Sequence, residues 1–393
     1  MDRPIRTLLF STLYPSSVRP SHGIFVETRL RHLLASGQVE TRVVAPVPWF
    51  PSTHPYFGSY AQFAATPQRE IWNHIEVFHP RYFLPPKVGM NIAPVLLAMG
   101  AYRTILSLLR QGVAFDLIDA HYFYPDGVAA MILGRVLGKP VVITARGTDI
   151  SLVPRYALPR WMIQRAGRRC AAIITVCKAL KDELVDIGIN PDKVTVLRNG
   201  VDLKQFYPED RQWARSVFGM SHFALASVGN LVPLKGHDLV IGVLPHLTDA
   251  ELFIAGSGPE ERRLRALANS LDVADRVHFL GMLTQDQLRL LYSGADALVL
   301  ASSREGWANV LLESMACGTP VIATDVWGTP EVVAAPEAGV LVEERSTDAL
   351  RFGIQRLRSA LPDRLATRRY AEAFDWEATT KGQLDIFNSL LNR

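Results

Sequence analysis

The chain has 393 residues, of which 48% are hydrophobic and 20% charged, so it is a globular protein long enough for two domains. No run of eighteen apolar residues occurs, which argues against a membrane-spanning helix. Three cysteines without metal-binding spacing favour a reduced, cytoplasmic location.

The net charge of +4 is unevenly distributed along the chain. Residues 1–200 carry 23 basic and 13 acidic side chains, whereas the remainder carries 19 and 25. This asymmetry favours an anionic partner for the first half, such as an anionic membrane surface, although chance surface charge is the alternative. Nucleic acid is not expected, because no dense Lys/Arg run with interleaved aromatic residues occurs.

Apolar runs of four to eight residues alternate with helical patterns along the whole chain. The first run, "RTLLFST", lacks a following cleavage pattern and is interpreted as a strand, not a signal peptide. The strand candidates are "RTLLFST", "TRVVAPV", "DLIDAH", "PVVITA", "AAIITV", "KVTVL", "FALASVG", "ELFIAG", "VHFLG", "DALVLAS", "PVIATD" and "GVLV". Nearly continuous β-branched runs separated by helices predict parallel sheets covered on both faces.

These elements predict an α/β fold with two Rossmann-like, doubly wound domains. The boundary is expected near "LRNGVDLKQFYPEDRQ", where Asn-Gly and Pro208 mark a turn. The domains then span residues 1–200 and 201–370. Residues 371–393 form a helix with an apolar stripe, which is expected to pack back onto the first domain.

Two features of the first half follow predicted strands. In "YPSSVRPSHGIFVETRL", Gly23 would let the backbone approach a ligand, and the amides of Gly23 and Ile24 would face phosphate or acceptor. His121 ends the strand in "DAHYFYPDG" and is expected at the ligand side, although a lone histidine is more often structural.

A basic segment comes later in the same half. In "PRYALPRWMIQRAGRRC", five arginines accompany Trp161, which suits an interfacial membrane helix. An ordinary surface helix with a buried apolar stripe is the alternative.

In the second half, the stretch "DALVLASSREGWANVLLESMACG" predicts a strand, a loop and a helix closed by Gly318. Ligands of parallel sheets bind beyond the carboxyl ends of strands. The helix start offers phosphate-binding amides at residues 309–311, namely Asn309, Val310 and Leu311. Glu305 lies on the loop before them, and Glu313 lies about one turn further along the helix.

The predicted order in space is therefore carboxylate, amides, carboxylate. That order suits a ligand with hydroxyls at both ends and a diphosphate between them, such as a nucleotide sugar. For an arbitrary pair of glutamates, two solvated surface charges would be the usual interpretation.

The segment "EGWANVLLESMACGTPVIATDVWGTPEVV" resembles the glutamate–seven–glutamate motif of retaining glycosyltransferases of family 4. "VGNLVPLKG" resembles the donor diphosphate loop of that family, "LFIAGSGPE" and "RVHFLG" its next strand ends, and "VLRNGVDLKQF" its interdomain element. The motifs stand in the family's order along nearly the whole chain. The resemblance implies the GT-B fold, in which two Rossmann-like domains face each other across a cleft.

The resemblance also implies residue roles. Glu305 is expected near the C3 and C4 hydroxyls of the transferred sugar, Glu313 on the ribose hydroxyls, and Lys235 on the diphosphate. The remaining donor contacts are expected from Gly229, Asn230, Met282 beside the base, Gly306 and the three helix-start amides.

Two positions depart from the family pattern. Asn230 stands where the family commonly has an arginine, and Arg146 in "VVITARGTDI" stands where many members have a histidine near the transferred sugar. Arg146 is therefore expected to contact phosphate or an anionic acceptor, with a structural role at a sheet end as the alternative.

The expected activity is retaining transfer of a hexose from a nucleoside diphosphate sugar to a glycan or lipid-linked acceptor in polysaccharide or cell-envelope biosynthesis. It is expected on the cytoplasmic face of the inner membrane, with neither metal nor cofactor, since no Asp-x-Asp motif occurs. The alternatives are a nucleotide-sugar 2-epimerase and a non-catalytic nucleotide-sugar-binding subunit. A dinucleotide dehydrogenase is disfavoured, because no Gly-x-Gly-x-x-Gly follows the first strand.

Overall fold

A computed structural model describes residues 3–85 and 89–392 of the chain. The chain divides into two units, one of Met1–Arg198 with Glu377–Arg393 and one of Asn199–Trp376. The division lies after Arg198, and residues 371–376, which were predicted to belong to the returning segment, stay with the second unit. Within that unit, the Val201 N–H donates to the Phe374 carbonyl at 2.8 Å.

The first unit is built on a parallel sheet with one antiparallel edge strand. Its strands are β1 (Ile5–Phe10), β2 (Val39–Val44), β3 (Val47–Pro48), β4 (Arg69–Trp72), β5 (Ile75–Phe78), β6 (Arg81–Tyr82), β7 (Leu117–His121), β8 (Val141–Ala145), β9 (Ala172–Thr175) and β10 (Val194–Val196). Within the described residues, the main sheet has the order β10-β9-β8-β7-β1-β2-β5-β4, and β3 pairs with β6 separately. Every strand predicted in this half is present, and the first predicted run forms the buried strand β1.

The helices of this unit are α1 (Ile24–Ala35), α2 (Ser59–Ala65), α3 (Gly89–Arg110), α4 (Val128–Leu137), α5 (Thr148–Ser151), α6 (Ala157–Arg169) and α7 (Lys178–Asp186). By length and composition alone, α3 could cross a membrane. One face of α3 nevertheless packs inside the unit through residues such as Leu97, Ala101 and Ile105, which are fully buried. We therefore interpret α3 as a core helix whose other face is exposed.

The second unit is an entirely parallel sheet with helices between its strands. Its strands are β11 (Phe223–Val228), β12 (Ala250–Ala255), β13 (Val277–Gly281), β14 (Ala297–Leu300), β15 (Val321–Thr324) and β16 (Gly339–Val342). Its helices are α8 (Arg211–Phe218), α9 (His237–Val243), α10 (Glu261–Ser270), α11 (Gln285–Gly294), α12 (Asn309–Ala316), α13 (Thr329–Val332), α14 (Thr347–Ser359) and α15 (Arg364–Glu372). All six strands predicted from the apolar runs of this half are present.

Within each unit, the order of the strands in the sheet places the candidate loops of that unit next to one another. The second sheet has the order β13-β12-β11-β14-β15-β16, so the chain switches direction between β11 and β14. In the first sheet, β1 lies between β2 and β7, which is the equivalent switch. Loops that leave adjacent strands at such a point diverge and leave a crevice for a ligand.

The last helix, α16 (Glu377–Leu390), belongs to the first unit although it follows the second in sequence. Leu384 and Phe387 of α16 pack in one apolar cluster with Ile5, Leu117 and Ile174. The helix therefore completes the core of the unit that begins the chain.

Candidate active site

The loops that follow β11 and β14 form the centre of the candidate site in the second unit. The Ser303 N–H donates to the Leu234 carbonyl at 2.9 Å and ties the two loops together. The neighbouring loop after β12 approaches closely, since a Cβ atom at Gly256 would lie 1.9 Å from the Gly229 carbonyl oxygen. Glycine is thus required where these backbones meet.

Lys235 and Glu305 are brought together by these loops. The Lys235 Nζ lies 2.7 Å from Glu305 Oε2, and the two side chains are 19% and 15% exposed. The aliphatic part of Lys235 lies over Gly229, where an added Cβ would be 3.4 Å away. Two residues predicted from separate motifs, 70 positions apart, therefore form one ion pair at the switch point.

The start of α12 differs from the prediction of three free amides. The Asn309 N–H donates to the Trp307 carbonyl at 3.1 Å, and the Leu311 N–H donates to the Ala308 carbonyl at 3.0 Å. A tight first turn thus uses the N–H groups of Asn309 and Leu311. Of the three predicted amides, only that of Val310 has no hydrogen-bond partner in the described part of the chain. The prediction was therefore wrong for Asn309 and Leu311.

Glu313 lies further along α12 and is held by a residue that the sequence did not indicate. The Tyr292 hydroxyl, on α11, donates to Glu313 Oε2 at 3.1 Å. Burial raises the pKa of Glu313 to about 7, although the bond from Tyr292 opposes that shift. Near neutral pH the carboxyl group therefore sits at the balance between its protonated and ionised forms.

The other predicted donor contacts lie around the same edge of the sheet. Gly229 and the exposed Asn230 directly follow β11, and the exposed Met282 directly follows β13. Gly306 lies between Glu305 and α12. All are at the carboxyl ends of strands, which is the side where the family motif predicted them.

Arg345 is a second residue that the sequence analysis missed. Its Nε donates to the Ala301 carbonyl at 2.8 Å, and its Nη2 donates to the Pro233 carbonyl at 3.0 Å. It thereby links the two loops that carry Lys235 and Glu305 and adds a positive charge to them. No motif marks Arg345, because it lies far from Glu305 in sequence and belongs to a different strand end.

In the first unit, Gly23 and Ile24 begin α1 at the switch point beside β1. Gly23 has φ +68°, and a Cβ there would lie 2.3 Å from the Leu13 carbonyl carbon, so only glycine fits. The Val26 N–H donates back to the Gly23 carbonyl at 2.8 Å. Gly23 is thus required where the chain passes close to itself, and the predicted approach of a phosphate or acceptor to the Gly23 and Ile24 amides stays a prediction.

Arg146 and His121 meet directly in the first unit. The Arg146 Nη2 donates to His121 Nδ1 at 2.6 Å, and His121 Nε2 donates to Asp119 Oδ2 at 3.1 Å. Burial lowers the pKa of His121 to about 4, so the imidazole is neutral. Both ring nitrogens of His121 are occupied and the residue is 1% exposed, so in this structure it contacts Arg146 and Asp119; a catalytic role for His121 at the ligand side stays a prediction.

Asp149 fixes the backbone that carries Arg146. Its carboxyl group accepts the N–H groups of Phe123 at 2.6 Å and Gly147 at 2.7 Å, and also that of Arg146. Burial lowers the pKa of Arg146, and the nearby Arg29 adds to that effect while Asp119 and Asp149 oppose it. An anionic group next to Arg146 would relieve the cost of this buried cation.

Comparisons with known proteins agree with the fold. A sequence profile for Glycosyltransferase Family 4 matches residues 30–205, and one for Glycosyl transferases group 1 matches residues 212–374. The D-inositol 3-phosphate glycosyltransferase of Mycobacteroides abscessus is 31% identical over 327 residues, which cover 78% of this chain and 71% of the relative. The putative teichuronic acid biosynthesis glycosyltransferase TuaC of Bacillus subtilis is 27% identical, covering 90% of this chain and 89% of that protein.

Among solved structures, Anabaena HepE in complex with UDP-glucose has a TM-score of 0.72 at 17% identity and covers 98% of this chain and 99% of that one. The fold is GT-B, as predicted, with α/β units on parallel sheets. The chain belongs to the glycosyltransferases of family 4, and it is a glycosyltransferase.

Proposed function

We propose that the protein transfers a hexose from a nucleoside diphosphate sugar to a glycan or lipid-linked acceptor and retains the anomeric configuration. The observation that carries this proposal is the Lys235–Glu305 pair at the switch point of the second sheet, with Glu313 further along α12. The donor-bound HepE structure has the same fold and supports a nucleotide-sugar donor. The name of TuaC supports a role in bacterial polysaccharide or cell-envelope biosynthesis.

When the donor binds, we propose that the ion pair between Lys235 and Glu305 breaks and that each side chain contacts a different part of the donor. Lys235 turns to the diphosphate, where it neutralises charge that develops as the glycosidic bond breaks. Glu305 then accepts hydrogen bonds from the sugar hydroxyls, and Glu313 accepts those of the ribose. The Val310 amide adds a donor at the start of α12. We propose a reaction without a divalent metal, in which Lys235 and the amide supply the stabilising charge.

The acceptor end is assigned to Arg146 in the first unit. A largely buried arginine suits an acceptor or leaving group that carries phosphate or carboxylate. The M. abscessus relative is named for inositol 3-phosphate, which is an anionic acceptor, and this name supports the assignment.

A panel of nucleoside diphosphate sugars tests the proposal. One donor is expected to raise the melting temperature, because a ligand that binds the folded state stabilises it. With that donor and candidate acceptors, a new glycosidic product with the donor's anomeric configuration is expected. The Glu305→Gln variant should form less product, and the exposed-site control Glu343→Gln should not. A C2 epimer of the donor, or binding without turnover of any acceptor, would contradict the proposal.

We also propose that the first unit binds an anionic membrane surface through α3, α4 and α6. Exposed apolar side chains on these helices include Met99, Val136 and Trp161. Among the described residues, a cavity of about 250 Å³ between these helices is lined by Trp161, by other apolar side chains and by arginines, and by no acidic residue. The arginines of that wall are Arg135, Arg165 and Arg169. Apolar side chains beside unopposed arginines match the boundary between acyl chains and anionic headgroups.

Vesicle binding tests this surface. Replacement of Arg135, Arg165 and Arg169 by glutamine is expected to weaken binding to phosphatidylglycerol vesicles roughly 100-fold, at about 1 kcal/mol per arginine. The control variant replaces Arg262, Arg265 and Arg356 of the second unit, which changes the net charge equally. Equal loss in both variants, or unchanged binding in the first, would contradict the proposed surface.

A further inference from the structure

A chain of buried hydrogen bonds links the last helix of the protein to Arg146. The Arg29 Nε donates to Gln383 Oε1 at 2.8 Å, and the Gln383 Nε2 donates to Asp119 Oδ2 at 2.9 Å. The same Asp119 oxygen accepts from His121, which in turn accepts from Arg146. Four of these five residues are at most 2% exposed, and Arg146 is 8% exposed.

The direction of every bond in this chain is determined by its two ends. A guanidinium group can only donate, so Arg29 must face the Gln383 carbonyl oxygen and Arg146 must face an unprotonated His121 nitrogen. The Gln383 amide then has its NH₂ group toward Asp119, and His121 carries its proton on Nε2.

The ionised state of Asp119 completes the arrangement. Burial alone would raise the pKa of Asp119, but the hydrogen bond with His121 and the positive charges of Arg29 and Arg146 lower it. Asp119 therefore accepts from both Gln383 and His121.

We propose that Gln383 is a positioning residue for the reaction, which holds the Asp119 carboxylate against the Nε2–H of His121 and thereby, through the His121 ring, aims Arg146. Its place on α16 means that the C-terminal helix supports the part of the first unit to which we assign the acceptor. The effect on catalysis rests on the proposed function of Arg146, whereas the effect on His121 does not.

The first variant is Gln383→Met, which keeps the length of the side chain but removes both polar groups. In protein with ¹⁵N-labelled histidine, the wild type is expected to show His121 as the Nε2–H tautomer, with its signals assigned by their loss in His121→Gln. Gln383→Met is expected to keep that tautomer, because Arg146 can only donate to Nδ1, but to shift the Nε2–H signal because Asp119 is no longer held, and kcat should fall about tenfold. Leu384→Met, a volume-conserving change on the same helix, should leave the spectrum and kcat unchanged.

The second variant is Gln383→Glu, which provides a separate test of the proposal if the Gln383→Met protein does not fold. When protonated, the introduced carboxyl group could accept from Arg29 and donate to Asp119, as the amide does, whereas the ionised group would repel Asp119. The variant should therefore approach wild-type kcat at low pH and lose activity as the pH rises, with no such transition in the wild type. A purely structural role would give no new pH transition.

The outcomes separate the two proposals. An unchanged Nε2–H signal of His121 in Gln383→Met, or a Gln383→Glu pH profile equal to that of the wild type, would overturn the inference. If the signal shifts but Arg146→Gln retains full activity, the positioning of His121 stands and the proposed role of Arg146 fails.

Discussion

Replacement of Lys235 by methionine is expected to lower kcat by about 10²–10³-fold, the loss typical when a group that stabilises developing charge is removed. Methionine keeps the unbranched stem that lies over Gly229, so the loop after β11 should keep its path. The Lys235–Glu305 pair is partly exposed, and such pairs add only about 0.2–1 kcal/mol to stability. The melting temperature should therefore change little while turnover collapses.

Steady-state kinetics with the donor and acceptor found in the panel would measure this effect. Lys204→Met, at an exposed lysine of the same unit, is the matched control and should retain wild-type kcat. Lys235→Arg should recover part of the activity, since it restores the charge with a different shape. A kcat within about threefold of wild type for Lys235→Met would show that Lys235 does not stabilise the leaving group.

Replacement of Glu313 by glutamine is expected to stabilise the protein at pH 8 and to weaken donor binding roughly 10- to 100-fold. The pKa of Glu313 is about 7 in the fold and 4.5 for an ordinary glutamate. A raised pKa gives stability that is complete below pH 4.5 and is lost as the pH rises through 7. Glutamine never ionises, so the variant should exceed wild type by up to about 3 kcal/mol at pH 8.

Denaturant unfolding at pH 4.5 and pH 8 would measure this difference. The two proteins should be nearly equal in stability at pH 4.5 and diverge above it, and Glu343→Gln, at an exposed glutamate, should follow wild type at both. Donor affinity of the wild type should rise between pH 6 and pH 8, because ribose hydroxyls bind the ionised carboxylate more strongly. Equal stability of Glu313→Gln and wild type at pH 8 would refute the cost assigned to the ionised carboxylate.

The sequence was sufficient to predict those elements whose burial is visible as a local run of apolar residues. Among the described residues, continuous apolar runs predicted all six strands of the second sheet and six of the eight strands of the first, because strands covered on both faces have few polar positions; β4 and β5, at one edge of the first sheet, were not predicted. The pair of Lys235 and Glu305 was also within reach, since both follow strands that the family motifs place side by side.

The sequence did not predict hydrogen-bond partners that only the tertiary structure brings together. No pattern near Glu313 in the sequence indicates its bond with the Tyr292 hydroxyl, and the bond between Asp119 and Gln383 joins residues 264 positions apart. No helix was predicted in the segment 47–70, which is rich in Pro, Tyr and Phe, yet the structure has α2 there. The paired strands β3 and β6 have only two residues each, which is too short to give a periodic pattern in the sequence.

The return of α16 to the first unit affects how the protein is made. A ribosome finishes residues 3–198 long before it reaches Leu384 and Phe387, which fill the core beside β1 and β7. The unit synthesised first therefore waits, with part of its interior unfilled, until the second unit has been translated. A prematurely terminated chain would lack Gln383 as well as this packing. Under the proposed role of Gln383, Arg146 would then be correctly positioned only after α16 has been synthesised.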